Sequence, residues 1–507
     1  MPTVLERATF HAALTTLLAL PFASAVAQQQ SVVTRSYVEA RAVLDRGIEA
    51  LGGLEALRGL ENVRVEFDGE GFARNQSRRP EGAYERTPRR GTFVLDAKRN
   101  AARFEFDYQF IGGIPFRNLT LMRGDTAIAM DLTQRVAVAA PGNTMTIVSR
   151  SRMPHFLLLQ ALDRAATLRS LGRATLDGAP QNVISFAAAN GAQLTIYLDA
   201  ASGLPSALET FGPDLVTGEA PTRFRYSDWK AAGNLKVPGR RVLSVAGEPL
   251  ESVAYRTVRV NQPTHDSLYL LPAGVPDVTD SIPEFAKVEL GRGVWLLQEV
   301  ANGYNVLAVA FKDHVMVVEP ASSDAESRRV IAAVKELAPD KPIRYLVATH
   351  HHEDHTGGVR GYIAEGATLV TTAGNRAYFE RIAASRRTVA PDGLSEKPRK
   401  PVFEMVSKRR VFSDGERTVE LVDIGPSPHA NEMLVAWLPQ ERLLFQADLF
   451  GVGYGAPVPP SNPTAAHFAK RLQELGLNAE RIVAVHGRVA TRAELEESLA
   501  KQVAATQ

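Results

Sequence analysis

Two regimes of hydrophobic patterning divide the chain. After Gln30, Leu44, Ile48 and Leu51 recur at helical spacing and predict a helix from about Val38 to Leu51, stopped by Gly52-Gly53. From about Val63 to Asn261 the period drops to two, as in Val63-Arg64-Val65-Glu66-Phe67, Arg103 to Tyr108 and Leu194 to Leu198. Turn clusters rich in Gly, Asp and Asn separate these segments, and a helix over Met153 to Leu168 interrupts them. The pattern predicts a mainly antiparallel sheet, half-buried on one face, with a few helices.

Between Gln262 and Glu284 the periodicity fades and four prolines occur, which marks a linker. Beyond it short apolar strands alternate with helices. Strands are predicted at Val306–Ala310, Val315–Val318, Ile343–Ala348, Thr418–Ile424, Met433–Leu438, Leu443–Gln446 and Arg481–Val485. Ser323 with Glu326 and Thr491 with Glu494 read as capping boxes opening helices, and a further helix is expected after Thr464. This alternation predicts layered packing with helices covering sheets, so the chain as a whole is α+β. Its expected parts are a leader at 1–27, a β-rich domain at 28–262, a Pro-rich linker at 263–285 and a second domain at 286–507.

Composition narrows the functional classes. With 507 residues, more than one domain is expected. The net charge of +2 gives no whole-molecule signature of nucleic-acid binding. There are no cysteines, which removes thiolate ligands and cysteine nucleophiles. Residues 1–27 resemble a secretory signal, with Arg7, an apolar run Ala12 to Ala23 and small residues at Ala23 to Ala27, so a periplasmic or secreted location is expected. The segment Arg376 to Arg410 holds ten Lys or Arg against four Asp or Glu, and reads as a solvated loop or as a flap over an anionic substrate.

The chemistry concentrates at His350-His351-His352-Glu353-Asp354-His355, which follows directly on an apolar strand. In extended chain, alternation would turn His350, His352 and Asp354 to one side, and His355 reaches a second point if the chain turns there. So many imidazoles in one place repel one another when protonated, whereas a metal ion uses them as neutral ligands. Downstream, His429, Asp448 and His486 each follow the end of an apolar strand. His351 is expected to face solvent or to support the ligands from outside.

This set, from about Ala286 to Gln507, resembles the metallo-β-lactamase-fold hydrolases. The resemblance rests on His350-x-His352-x-Asp354-His355 followed by His429, Asp448 and His486. It implies an αββα sandwich and two zinc ions, one held by His350, His352 and His429, the other by Asp354, His355 and His486, with Asp448 bridging. Glu319 stands where the family usually has an aspartate that supports the ligands. The implied activity is hydrolysis of a carbonyl substrate (lactone, ester, thioester or β-lactam) by a metal-bridging hydroxide, with Asp354 carrying the proton. The resemblance to enzymes with a bridging aspartate tilts the expectation toward lactones and thioesters. Tyr454 is a candidate donor to the developing oxyanion.

Two other readings remain open. One is a non-haem iron oxidoreductase of the same fold, similar to persulfide dioxygenases and using His350, His429 and Asp448. The other is a periplasmic lipid-binding module. The latter draws on Tyr197-Leu198-Asp199, Gly203-Leu204-Pro205, Asp228-Trp229 and Val237-Pro238, which resemble the periplasmic lipoprotein-carrier half-barrel and imply acyl-chain contact. A small-molecule substrate and no nucleic-acid partner are expected, and the residues from about Ala286 onward are expected to be sufficient for the site.

Overall fold

The computed structural model describes residues 31–506, except 114, 125, 133–135, 141–149, 274–283 and 302. The expected leader at 1–27 lies outside the described residues.

Period-two patterning becomes one sheet of thirteen strands. Its two central strands are Asn62–Phe72 and Glu248–Val260, the beginning and the end of the region, paired antiparallel with a register shift at Glu66/Phe67. On one side the strands proceed outward in chain order to Val136–Ala140, and on the other they run back from Arg240–Val245 to Arg169–Leu176. Every adjacent pair is antiparallel. The apolar residues of alternate positions (Val65, Phe67, Phe93, Ile196, Tyr255) form one core with Leu44 and Ile48 of helix Val32–Leu51 and Leu157 of helix Pro154–Asp163. Burying one such leucine or isoleucine contributes about 1.5–3 kcal/mol.

Two helix expectations need correction. The first helix begins at Val32 rather than Val38, because the Ser31 hydroxyl caps it by accepting from Thr34 N; Val32, Val33 and Val38 are exposed and so leave no apolar stripe to read. The second ends at Asp163, and Ala165–Thr167 continues as a 3₁₀ turn while the Arg164 guanidinium donates to the Ala187 carbonyl. Residues 263–273 are not free-running. Thr264 and Tyr269 donate to Asp96 at 2.7 and 3.0 Å and fasten the segment to the sheet.

The remaining strands form two sheets. One has seven strands in chain order, from Ala286–Gly291 to Val402–Val406, and its last four, from Val315–Val318 onward, are parallel. The other has six, from Arg409–Ser413 to Ala490–Thr491. Val317 and Leu346 of the first share a core with Leu421, Val435 and Phe445 of the second. Helices Asp324–Leu337, Val359–Glu365, Pro463–Glu474 and Arg492–Thr506 complete an αββα sandwich. The Thr491–Glu494 capping box is present, with Glu494 N donating to Thr491 Oγ1 at 3.2 Å and Thr491 N to Glu494 Oε2 at 2.8 Å.

The basic segment 376–410 is neither a bare loop nor a detached flap. It contains helix Arg376–Ala384 and the edge strand Val402–Val406, and it reaches the thirteen-stranded sheet. Arg381 pairs with Glu81 at 2.8 Å, Arg387 donates to the Leu215 carbonyl at 2.8 Å, and Val389 N donates to Glu219 at 2.6 Å. Arg381 and Arg387 thus brace one half of the molecule against the other, while Arg376, Lys397, Arg409 and Arg410 pair with acids of their own half.

Candidate metal centre

The strand Ile343–Val347, buried at Leu346 and Val347, delivers the histidine segment to the edge of the sandwich. His350 to His352 continue extended, but Glu353–His355 close into a 3₁₀ turn. That turn corrects the expectation that Asp354 shares a side with His350 and His352. Instead, His350, His352, His429 and Asp448 form one group whose donor atoms lie within 4.8 Å of one another. Asp354, His355, Asp448 and His486 form a second. All seven sequence-predicted ligand residues are thus brought together, and Asp448 belongs to both groups.

Asp448 Oδ2 lies 3.1 Å from His429 Nε2, 2.9 Å from His355 Nε2 and 3.5 Å from His350 Nε2. Asp354 Oδ2 stands 3.1 Å from the Nε2 of both His355 and His486. Glu319 supports from behind. Its Oε2 accepts from Tyr304 Oη at 2.6 Å and faces His355 Nδ1 at 2.8 Å, while Oε1 accepts from Thr349 N at 3.2 Å. A His355 Nδ1–H donated to Glu319 leaves Nε2 directed at the two aspartates.

The electrostatics fit a cation. Burial, aided by neighbouring imidazoles, pulls His350 down to about 3 and His352 well below the ordinary histidine range, so both are neutral imidazoles. Burial alone would also lower His355, yet Asp354, Asp448 and Glu319 together raise it well above that range. Three carboxylates converging on one buried imidazole demand positive charge, which a divalent ion supplies better than a proton. His350 Nε2 and His429 Nε2 lie 3.2 Å apart, and His352 Nδ1, buried, has no hydrogen-bond partner among the described residues. A nitrogen-rich group beside an oxygen-richer one, both four-membered, fits two ions of zinc type.

The rest of the surroundings comes from the other sheet. Gln76 Nε2 donates to Asp354 Oδ1 at 3.0 Å, and His352 Nε2 lies 2.9 Å from the Ser77 carbonyl. Glu353 N donates to the Asn75 carbonyl at 3.0 Å, and Asn431 N to that of Arg78 at 2.8 Å. The Phe110 ring stands 6.2 Å from that of His352 and 5.9 Å from that of His429. The chain beyond Ala286 supplies every ligand residue, and the N-terminal half supplies partners for two of them, Asp354 and His352. No motif marks Gln76 or Phe110.

Two other expectations fare differently. His351 does not face solvent; it is buried against the Tyr378 ring at 5.7 Å, and burial lowers it to about 4. The Tyr454 hydroxyl is donated to Asn305 at 3.1 Å. Asn305 in turn donates to the Ala484 carbonyl at 2.9 Å, bracing the strand that leads to His486. The hydroxyl expected to serve a developing oxyanion thus supports that strand in this structure.

The family model described as the metallo-beta-lactamase superfamily matches residues 301–486, spanning every ligand residue named above. Residues 301–486 belong to that superfamily. The chain accordingly carries a metallo-β-lactamase-fold domain. Among curated proteins, a linear primary-alkylsulfatase of a Pseudomonas strain is 37% identical over 51 residues, 10% of this chain and 10% of that protein. A probable hydroxyacylglutathione hydrolase of Schizosaccharomyces pombe is 26% identical over 169 residues, 32% of this chain and 55% of that protein. The alpha subunit of a 2,4-dinitroanisole O-demethylase of a Nocardioides strain is 25% identical over 229 residues, 44% of this chain and 66% of that protein. The matches thus span from a tenth to about two thirds of these relatives' lengths. Among solved structures, a metallo-beta-lactamase from Hirschia baltica matches at 21% identity, covering 43% of this chain and 96% of its own, with a TM-score of 0.32. Another, from Pontibacter korlensis, matches at 17% identity, covering 43% and 99%, with a TM-score of 0.32.

Proposed function

We propose that the protein is a binuclear zinc hydrolase of a carbonyl substrate, a lactone, ester or thioester. The observation that carries this reading is the shared position of Asp448, whose carboxylate stands between the Nε2 atoms of His429 and His355 at 3.1 and 2.9 Å. A carboxylate common to two ligand groups suits two ions held close together, and a mononuclear iron site has no use for the second group. The similarity to a probable hydroxyacylglutathione hydrolase supports acyl transfer to water.

His350, His352 and His429 would hold one ion, and Asp354, His355 and His486 the other, with Asp448 between them. When bound, such ions acidify water and polarise a carbonyl oxygen. The residues of the chain do the rest. His350 and His352, kept neutral by burial, offer lone pairs without first releasing protons. Asp354 is held at Oδ1 by Gln76 and at Oδ2 by His355 and His486, which positions it to take a proton from the attacking water and pass it to the leaving oxygen or sulfur. The acyl–heteroatom bond breaks as the new carbon–oxygen bond forms, and an acid and an alcohol or thiol leave. His486 is half-exposed and marks the side open to solvent.

The test is metal analysis of the purified full chain together with turnover on lactones, esters, thioesters and β-lactams. Two zinc ions with turnover of a carbonyl substrate support the proposal. A single iron with oxygen-dependent turnover would replace it with the oxidoreductase reading. The signal-directed, periplasmic or secreted location stays part of this proposal and is checked by fractionating cells that express the full chain.

A further inference from the structure

The inner face of the thirteen-stranded sheet changes character along its length. Under the two helices it is apolar. Beyond Phe67 and Phe93, the strands that continue toward the metal centre present arginines instead. Arg89 lies across from Gly69, Gly69 across from Val253, and Val253 across from Arg241, so two arginines flank one row of the sheet. Arg152 approaches them, its guanidinium 4.7 Å from the centre of the Phe104 ring.

These three cations share one acid. Arg89 Nη1 lies 3.1 Å from Glu251 Oε2, Arg152 Nη1 lies 3.8 Å from Glu251 Oε1, and Arg241 pairs with that same oxygen. Arg241 is 1% exposed and Glu251 8%. Three guanidinium groups against one carboxylate leave two positive charges uncompensated inside the protein, and Arg89 Nε, Arg152 Nε, Arg241 Nε and Arg241 Nη1 have no hydrogen-bond partner among the described residues. Burial pulls Arg152 and Arg241 down to about 10, which still leaves both charged at neutral pH. Room is made for the cluster: a Cβ on Gly71 would stand 2.3 Å from Arg89 Nε.

Arg89 and Glu251 form part of the wall of a cavity of about 450 Å³. Phe106 and Tyr108 line it as well, their rings stacked under the Arg89 guanidinium at 5.5 and 5.6 Å. The same cavity is bounded by Gln76 and Phe110, which touch Asp354, His352 and His429. One cavity therefore runs from Arg89, which Arg152 and Arg241 back through Glu251, past Phe106 and Tyr108 to Gln76 and Phe110, the two residues that touch the metal ligands.

We propose that Arg89, with the buried charges of Arg152 and Arg241 behind it, binds the anionic end of the substrate, an oxyanion such as a carboxylate, sulfate or phosphate, carried on an apolar stem that lies along Phe106 and Tyr108 toward Gln76 and Phe110 beside the metal ligands. The substrate part rests on the hydrolase reading above; the binding of an anionic amphiphile does not. The N-terminal sheet thereby selects which acyl compound the other domain cleaves, with hydrogen bonds to a charged group and aromatic contact to its stem.

Calorimetric titration of the full chain, metal-loaded and metal-free, with octanoate, octyl sulfate, octyl phosphate and octanol tests this. At least one anion should bind tenfold or more tightly than octanol, in both metal states, and the order of the three identifies the headgroup. Arg241→Met and, as a more exposed position better able to fold, Arg89→Met should each bring that anion to within a few-fold of octanol. Octanol binding as well as every anion overturns the proposal, as does the absence of binding. So does anion binding that vanishes on metal removal or survives Arg89→Met, since the anion would then sit elsewhere. Turnover of a neutral ester, measured separately, reports on the hydrolase reading and leaves the binding result independent of it.

Discussion

His352 Nε2 lies 2.9 Å from the carbonyl oxygen of Ser77, in the connection between the strands Asn62–Phe72 and Arg86–Asp96 of the N-terminal sheet. A ring N–H donated there makes Nδ1 the lone-pair nitrogen, and Nδ1 is the atom without a partner. Residues 286–507 expressed alone lack this constraint. Such a fragment should bind its first metal about 10- to 100-fold more weakly than the full chain, as expected when a supporting hydrogen bond to a ligand is lost. Competition against a chromogenic chelator measures this, and equal affinities would show that the N-terminal sheet is dispensable for the ligands.

Gln76 provides a side-chain version of the same relationship. Its amide donates to Asp354 Oδ1 at 3.0 Å and so fixes the carboxylate that also meets His355 and His486. Gln76→Ala should lower turnover about 10- to 100-fold at little cost in stability, because the side chain holds a ligand rather than a core. Gln76→Glu should be worse, since it sets a second carboxylate against Asp354. Turnover of Gln76→Ala equal to wild type would remove Gln76 from the site.

Glu319 accepts three hydrogen bonds in a fully buried position, from Tyr304, Thr349 and His355. Glu319→Ala leaves these donors unpaired at about 1–3 kcal/mol each, and frees the His355 ring to take the other tautomer. The expected result is a protein with a lower Tm that retains one metal and loses the second. Normal content of both metals in folded Glu319→Ala protein would contradict this role.

Acid stability has an identifiable contributor away from the metals. Arg360 Nε and Nη2 meet Asp392 at 2.5 and 3.1 Å, with both side chains buried. Burial alone would raise Asp392, but Arg360 and the Ser395 N–H outweigh it and hold the carboxyl below the usual range. A depressed folded-state pKa gives stability that is present above the unfolded value near 4 and is lost as pH falls through the lower folded value. The Tm of wild type should therefore drop below about pH 4. Asp392→Asn should drop less steeply there, after costing about 3–5 kcal/mol at pH 7 by leaving Arg360 buried without its acid. Parallel acid profiles for the two proteins would rule the pair out as a source of acid sensitivity.

The ligands were legible because their chemistry dictates their residue types. Imidazoles and carboxylates that follow apolar strands have few other reasons to recur, and His350, His352, Asp354, His355, His429, Asp448 and His486 all meet in space. Their division between two groups followed only from the family resemblance, because strand alternation alone would put Asp354 with His350 and His352, and the 3₁₀ turn at Glu353–His355 separates them. The contribution of Ser77 was hidden for a different reason: a backbone carbonyl has no residue type. Gln76 and Phe110 lie in connections of a sheet whose patterning reports only its core. The arginine cluster is dispersed over positions 89, 152 and 241; the strand register aligns Arg89 with Arg241, and the turn before helix Pro154–Asp163 adds Arg152.

Asp448 is where the account is most exposed to test. If its carboxylate joins the two groups, Asp448→Ala should hold about one zinc in place of two and turn over at least about 10²-fold more slowly, since the second ion takes with it both water activation and support of the leaving group. Zinc content and turnover measured together on the folded variant decide the matter. One zinc with that loss of rate is the predicted result, and two zincs with an unaltered rate would contradict the binuclear reading of this site.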